Sequence, residues 1–321
     1  MLFARHDAIA DIPGLARELD FKLMQPLFRK YSVHPPQIAH YTSVETLEAI
    51  LASGDLRMTH FRYLNDSTEM LHGKQVADCL MGAQVDRHDA TSPFFDYCRF
   101  LFGEVDDTAI QYFVTSFSVL SDSAEMWARY ADGGAGVAIA FDVRRMGALV
   151  GEKDPYYIGR VTYTAAEQLE LINPLVEAAR SVLRRYSSKY GYDVRDVAVQ
   201  MLAAKLCSHL NHHSISLKDE DWSSEREWRT VFSVLKNDPP ERKGRIHFRA
   251  DGRPYVDVKV MSVEPDDIRL PIAAISVGPI ADAMKIERLL RQWRYDSVEV
   301  RRSVIDSIGR PRWPGDHLRT P

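Results

Sequence analysis

The sequence predicts an α+β fold with a mixed, largely antiparallel sheet and a helical insertion at about residues 165–216. Two observations lead to this reading. Short runs of β-branched and aromatic residues are scattered from Ile38 to Val300, whereas sustained helical periodicity is concentrated in the middle of the chain. No Gly-, Ser- or Pro-rich linker divides the 321 residues, so a single domain over 1–321 is expected, with a helical extension at 1–37 and a tail at 311–321.

The elements follow in order. Leu15, Leu19, Leu23, Leu27 and Phe28 recur at helical spacing over residues 12–32, and Pro35-Pro36 stops that helix before a short strand at Ile38–Tyr41. Thr42-Ser43-Val44-Glu45 has the form of a capping box, and the helix it opens ends at Gly54. After a strand at Leu56–Thr59, Asn65–Glu69 forms a second capping pattern for a helix to about Met81. The aromatic cluster at Phe94-Phe95, Tyr97 and Phe100–Phe102 reads as helical. Gln111–Ser118 reads as a strand, and Asp122-Ser123-Ala124-Glu125 as a third capping box before Met126, Trp127 and Tyr130.

Gly133–Gly136 turns the chain into Val137–Phe141, apolar on both faces and therefore central. Ile158–Tyr163 is expected as a strand, followed by two long helices separated near Tyr190-Gly191. Thr230–Val234, Ile246–Phe248, Tyr255–Val260, Ile275–Val277 and Ser297–Val300 complete the strands, with a helix from Ala281 to about Trp293.

Composition narrows the function. Hydrophobic residues at 45% and charged residues at 27% are the balance of a folded globular chain, and a net charge of −4 argues against nucleic acid as a partner. Cys79, Cys98 and Cys207 form no C-x-x-C, so neither a disulfide framework nor a structural zinc site is expected. No signal-peptide pattern or membrane-length apolar run is present, which points to a cytoplasmic protein.

Four groupings could carry chemistry. The most informative is Trp222-Ser223-Ser224-Glu225-Arg226-Glu227-Trp228-Arg229, running into the Thr230–Val234 strand. Alternation puts Glu225, Glu227 and Arg229 on one face and Trp228, Thr230, Phe232 and Val234 on the other. Charges gathered beside tryptophans either pair with one another or serve a function. His40-Tyr41-Thr42, at a strand-to-helix junction, could hold a ribose or phosphate, or His40 could be a buried histidine beside an ordinary helix cap. Ser116 and Ser118 share a strand face, and Trp127 and Tyr130 form either a stacking wall for a flat ring or part of the core. His209 and His213 have metal-ligand spacing, but no third ligand stands nearby and no metal is expected. P-loop, nucleophile-elbow and dinucleotide-binding signatures are absent.

Taken in order, H-Y-T-S, Y-L-N-D-x-x-E, F-S-x-L-S-D, M-W-A-R-Y-A-D, G-V-A-I-A-F-D, W-x-x-E-R-E-W-R and I-x-V-G-P resemble the bacterial domain-of-unknown-function family 2971 over about residues 38–310. A looser likeness goes further. H-Y-T before a helix and glycine, a central strand ending in serine, and a late strand with E-x-E are similar to ADP-ribosyltransferases. That resemblance implies an ADP-ribosyltransferase-like fold, NAD as substrate, and a toxin or defence effector that transfers ADP-ribose or hydrolyses NAD. It implies that His40 holds the adenosine-side ribose, Glu227 is the catalytic glutamate and Glu225 is the acceptor-side residue. Ser116 or Ser118 takes the central-strand position, and Tyr41, Tyr63, Trp127 and Tyr130 compete for the nicotinamide-stacking role. Tyr41, Thr42 and Arg229 complete the expected binding set. The alternative is a non-catalytic module that binds a small molecule or a protein target or regulator.

Overall fold

A computed structural model describes residues 13–23, 34–64, 69–83, 91–104, 110–146, 157–191, 193, 195–259 and 269–305. The described helices are α1 (13–23), α2 (Val44–Ser53), α3 (Glu69–Ala83), α4 (Ser92–Glu104), α5 (Ala124–Tyr130), α6 (Ala165–Tyr190), α7 (Val197–Ser214), α8 (Pro240–Lys243) and α9 (Ala283–Gln292). The strands are β1 (Gln37–Thr42), β2 (Asp55–His60), β3 (Ile110–Ser118), β4 (Val137–Asp142) and β5 (Tyr157–Arg160) in the first half. In the second half they are β6 (Glu227–Leu235), β7 (His247–Phe248), β8 (Pro254–Lys259), β9 (Ile272–Val277) and β10 (Glu299–Arg302).

The chain divides into two compact units. The first is drawn from Met1–Val33, Asn65–Ala109 and Thr162–Glu220, so the helical segment expected as an insertion belongs to a unit assembled from three stretches. Its helices are α1, α3, α4, α6 and α7. Thr164 and Glu167 cap α6 reciprocally, and the helix buries Leu171, Ile172, Leu175, Val176, Ala179, Val182 and Leu183 at three- and four-residue spacing. This stripe packs with Leu15, Leu19, Phe94, Phe95, Leu202, Leu206 and Leu210 in one apolar core. α3 and α7 approach so closely at Gly73 that a Cβ there would lie 2.5 Å from the Ser214 carbonyl oxygen.

The second unit, His34–Leu64, Ile110–Val161 and Asp221–Pro321, holds the described strands. They form a largely antiparallel open sheet in the order β10-β9-β4-β1-β3-β2-β8-β7, with β6 on β3 and β5 on β6; β9 and β10 alone are parallel among them. β6 pairs with β3 over nine positions, from Ile110↔Leu235 to Ser118↔Glu227. The other edge of β3 is shared by β1, at Ala39↔Ser118, and β2, at Thr59↔Val114 and His60↔Phe113. Ile38, Phe117, Ile139, Phe141, Trp228, Phe232 and Ile275 line one face and pack with Leu47, Ile50 and Leu51 of α2 and Ile286 and Leu290 of α9. Ala39, Tyr41 and Ala138 point to the opposite face, where they meet Met126 and Trp127 of α5.

Several local expectations change. Thr42 ends β1, and the α2 cap is Ser43, whose hydroxyl accepts from the Thr46 amide at 3.1 Å. Ser123 precedes α5 without a side-chain cap, and the Asp122 carboxylate accepts from the Trp127 indole. The predicted strand at 158–163 ends at Arg160, and Thr162 forms an isolated bridge with Leu217. The capping pattern at 65–68, the end of the first helix at 24–32 and the tail lie outside the described residues. No helix among the described residues is long and apolar enough to cross a membrane.

Candidate functional site

β3 and β6 set the frame. Ser118 faces Glu227 and Ser116 faces Arg229 across the ladder, so these four residues share one sheet face. The pairing Ala39↔Ser118 puts Ala39, and with it Tyr41, on that same face. His40 therefore points to the other side. There its ring lies 5.8 Å from that of Phe117, and its Nδ1–H donates to the Ser116 carbonyl at 2.9 Å. Burial lowers the His40 pKa, and the carbonyl partner opposes part of that shift. The expectation that His40 joins Glu227 in one site is thus not met: strand alternation separates them. Thr42 follows His40 in parity and is buried opposite Val137.

At the head of β6 the Glu227 carboxylate accepts from Arg229 Nε at 2.6 Å and from Nη2 at 2.8 Å. Both side chains are almost wholly buried, and the Arg229 guanidinium lies 5.6 Å from the Phe61 ring centre. This is the pairing that charges in a dry sheet layer require.

Glu225 departs from the predicted strand. It closes a 3₁₀ turn at Glu220–Glu225, and Arg226 then takes φ +44 before β6 begins, so Glu225 is turned out of the ladder. Its carboxylate accepts from the Tyr130 hydroxyl at 2.5 Å and from Arg129 at 3.3 Å, while its backbone carbonyl accepts from the Ser118 hydroxyl at 2.7 Å. Arg129 also pairs with Glu125 at 2.6 Å and lies 5.0 Å from the Trp222 ring. The result is a second buried charge cluster, on α5 and the approach to β6.

The aromatic candidates separate as well. Trp127 meets Tyr41 edge-on at 4.8 Å and donates its indole N–H to Asp122 at 2.6 Å. Burial, reinforced by the Asp122 carboxylate, raises the Tyr41 phenol pKa. Trp127 is fully buried, so of the two roles the sequence leaves open for it, stacking wall or core, it takes the core. Tyr63 is exposed, in the turn after β2.

The structure thus gathers Tyr41, Ser116, Ser118, Glu227 and Arg229 on one face and ties Glu225 to Tyr130. His40 and Thr42 fall on the other side. Sequence reasoning missed Arg129 and the anchoring role of Asp122. The Glu125–Arg129 spacing of four on a helix was the available signal for the first.

Residues 126–230 match the family model described as Protein of unknown function (DUF2971). The matched stretch is less than half of the chain, and it runs from the first turns of α5 to the start of β6, taking in Arg129, Tyr130, Glu225, Glu227 and Arg229. No curated protein and no solved structure matches the chain. Among the described residues, no three His, Cys, Asp or Glu side chains are grouped so as to hold a metal ion.

Proposed function

We propose that the second unit is an ADP-ribosyltransferase-like module that binds NAD or a related nucleotide and transfers ADP-ribose or hydrolyses the nucleotide, as a bacterial toxin or defence effector. One observation supports this most. Neighbouring strands β1, β3 and β6 bring the H-Y-T, F-S-x-L-S-D and E-x-E-W-R blocks side by side, with Ser118 directly opposite Glu227.

Cleavage of the nicotinamide–ribose bond develops an oxocarbenium-like cation, which a fixed carboxylate stabilises as the bond breaks. In this reading Glu227 is that carboxylate and Arg229 fixes its orientation. Glu225, held by Tyr130 and Arg129, serves the acceptor side. Tyr41 replaces His40 as the contribution of the first block, because it lies on the Glu227 face. Incubating the protein with labelled NAD and a lysate tests the proposal. Nicotinamide release or a labelled product, lost in Glu227→Gln and kept in His40→Leu, is the expected result.

The closed Glu227–Arg229 pair favours a second reading, a non-catalytic binding module in which these charges order the sheet. It predicts no nicotinamide release from the wild-type protein and a lowered melting temperature in Glu227→Gln.

A further inference from the structure

Asp122 joins two distant parts of the second unit. Its carboxylate accepts three hydrogen bonds: from the Trp127 indole at 2.6 Å, the Ser303 hydroxyl at 2.7 Å and the Val304 backbone N–H at 2.9 Å. Ser303 also ends the strand pairing of β10, its N–H donating to the Val277 carbonyl at 3.0 Å. Its hydroxyl then accepts from the Ile305 amide at 3.1 Å, and Ile305 packs against the cluster of Ala39, Tyr41, Met126 and Trp127.

Little apolar burial holds this segment down. Val304 is 84% exposed and Ile305 only partly buried, so the charge-assisted bonds to Asp122 join the Ser303–Val277 bond and the Ile305 packing in attaching the segment. α5 in turn is a poor helix by itself. It is seven residues long and Ser123 provides no side-chain cap. Its last two residues are Arg129 and Tyr130, which hold the Glu225 carboxylate.

We propose that residues 303–305 are a latch: bound to Asp122 together with Trp127, they keep α5 docked on β1 and thereby keep Arg129 and Tyr130 on Glu225. Opening the latch frees α5 and dissolves the Glu225 cluster at the same time. The device reaches beyond the functional reading above and is measurable with no substrate present.

Hydrogen exchange followed by mass spectrometry on the full chain reads it directly. Ser303→Ala removes one donor, and Val304→Pro removes another at a solvent-exposed position. Asp122→Asn weakens all three bonds. With the latch open, amides of α5 exchange roughly tenfold faster while those of α9, in the same unit, keep their wild-type rates. Acceleration of α5 in either Ser303→Ala or Val304→Pro is the expected result. Unchanged α5 exchange in both overturns the latch, even if Asp122→Asn accelerates it, because the Trp127 bond alone would then hold the helix.

Discussion

Glu227 and Arg229 stand two residues apart on one face of β6, and the guanidinium closes on the carboxylate through two hydrogen bonds, one to each oxygen, in a layer from which water is almost excluded. Such a pair is far more sensitive to losing one member than to losing both. Arg229→Met strands a buried carboxylate and should lower stability by about 3–5 kcal/mol. The double substitution Glu227→Leu/Arg229→Met should recover most of that loss. Urea unfolding of the three proteins checks this, and a single variant as mild as the double would mean that the pair is solvated.

Tyr130→Phe deletes one atom, the hydroxyl that donates to Glu225. An incompletely satisfied buried carboxylate costs about 1–3 kcal/mol, and Arg129→Met should cost more because Glu125 also loses its partner. Under the transferase reading, nicotinamide release falls in both variants. Activity lost with no change in unfolding midpoint would instead place Tyr130 in contact with the ligand.

His40→Leu should behave as a core substitution. The Ser116 carbonyl loses its donor, at a cost of about 1–2 kcal/mol, and any NAD turnover persists. Turnover abolished with the melting temperature unchanged would return His40 to the site.

Acid should weaken the protein through α7. Burial, with His209 as a lesser cause, draws the His212 pKa down from 6.5 to about 3. The unfolded imidazole takes up a proton below pH 6.5, whereas the folded one resists until about pH 3. The unfolded state therefore binds more protons in that window, and stability present at neutral pH is lost as pH falls through it. The loss is at most about 1.4 kcal/mol per pH unit. Unfolding midpoints at pH 7 and 5 should converge in His212→Gln relative to wild type.

Two glycines test different constraints. A Cβ at Gly136 would sit 2.2 Å from the Thr42 carbonyl oxygen, so Gly136→Ala must push β1 and β4 apart, at about 1–3 kcal/mol. Gly54 caps α2 at φ +72 with open space around it, so Gly54→Ala costs only the strain of the left-handed backbone, about 1 kcal/mol. Thermal unfolding should rank Gly136→Ala as the less stable of the two.

The parity of β6 is legible because apolar Trp228, Phe232 and Val234 alternate with the charged Glu227 and Arg229, and successive strand side chains take opposite faces. The end of α6 at Tyr190 was legible for a similar reason, since its apolar stripe stops at Gly191. The face taken by His40 was not. It depends on Ala39 meeting Ser118, a pairing across some eighty residues of sequence for which neither strand carries a local marker. Alternation alone puts Glu225 on the strand, because Arg226 gives no warning of a positive φ, as a glycine or asparagine would. Asp122 has the composition of a cap, and only its contact with Ser303 and Val304 diverts it. Periodicity identifies helices without saying which of them share a core, so the sequence does not show that the 165–216 helices belong with those of the two earlier stretches.

The long β3–β6 ladder gives the buried pair on β6 one more consequence. β6 contacts β3 over nine positions, and most of its residues are apolar, so hydrophobicity alone tolerates a shifted alignment. A slip of one residue would drive Glu227 and Arg229 into the layer occupied by Phe117 and Phe232 and expel Trp228 to the opposite side. Glu227 and Arg229 thus act as a parity pin, opposing a one-residue slip between β3 and β6.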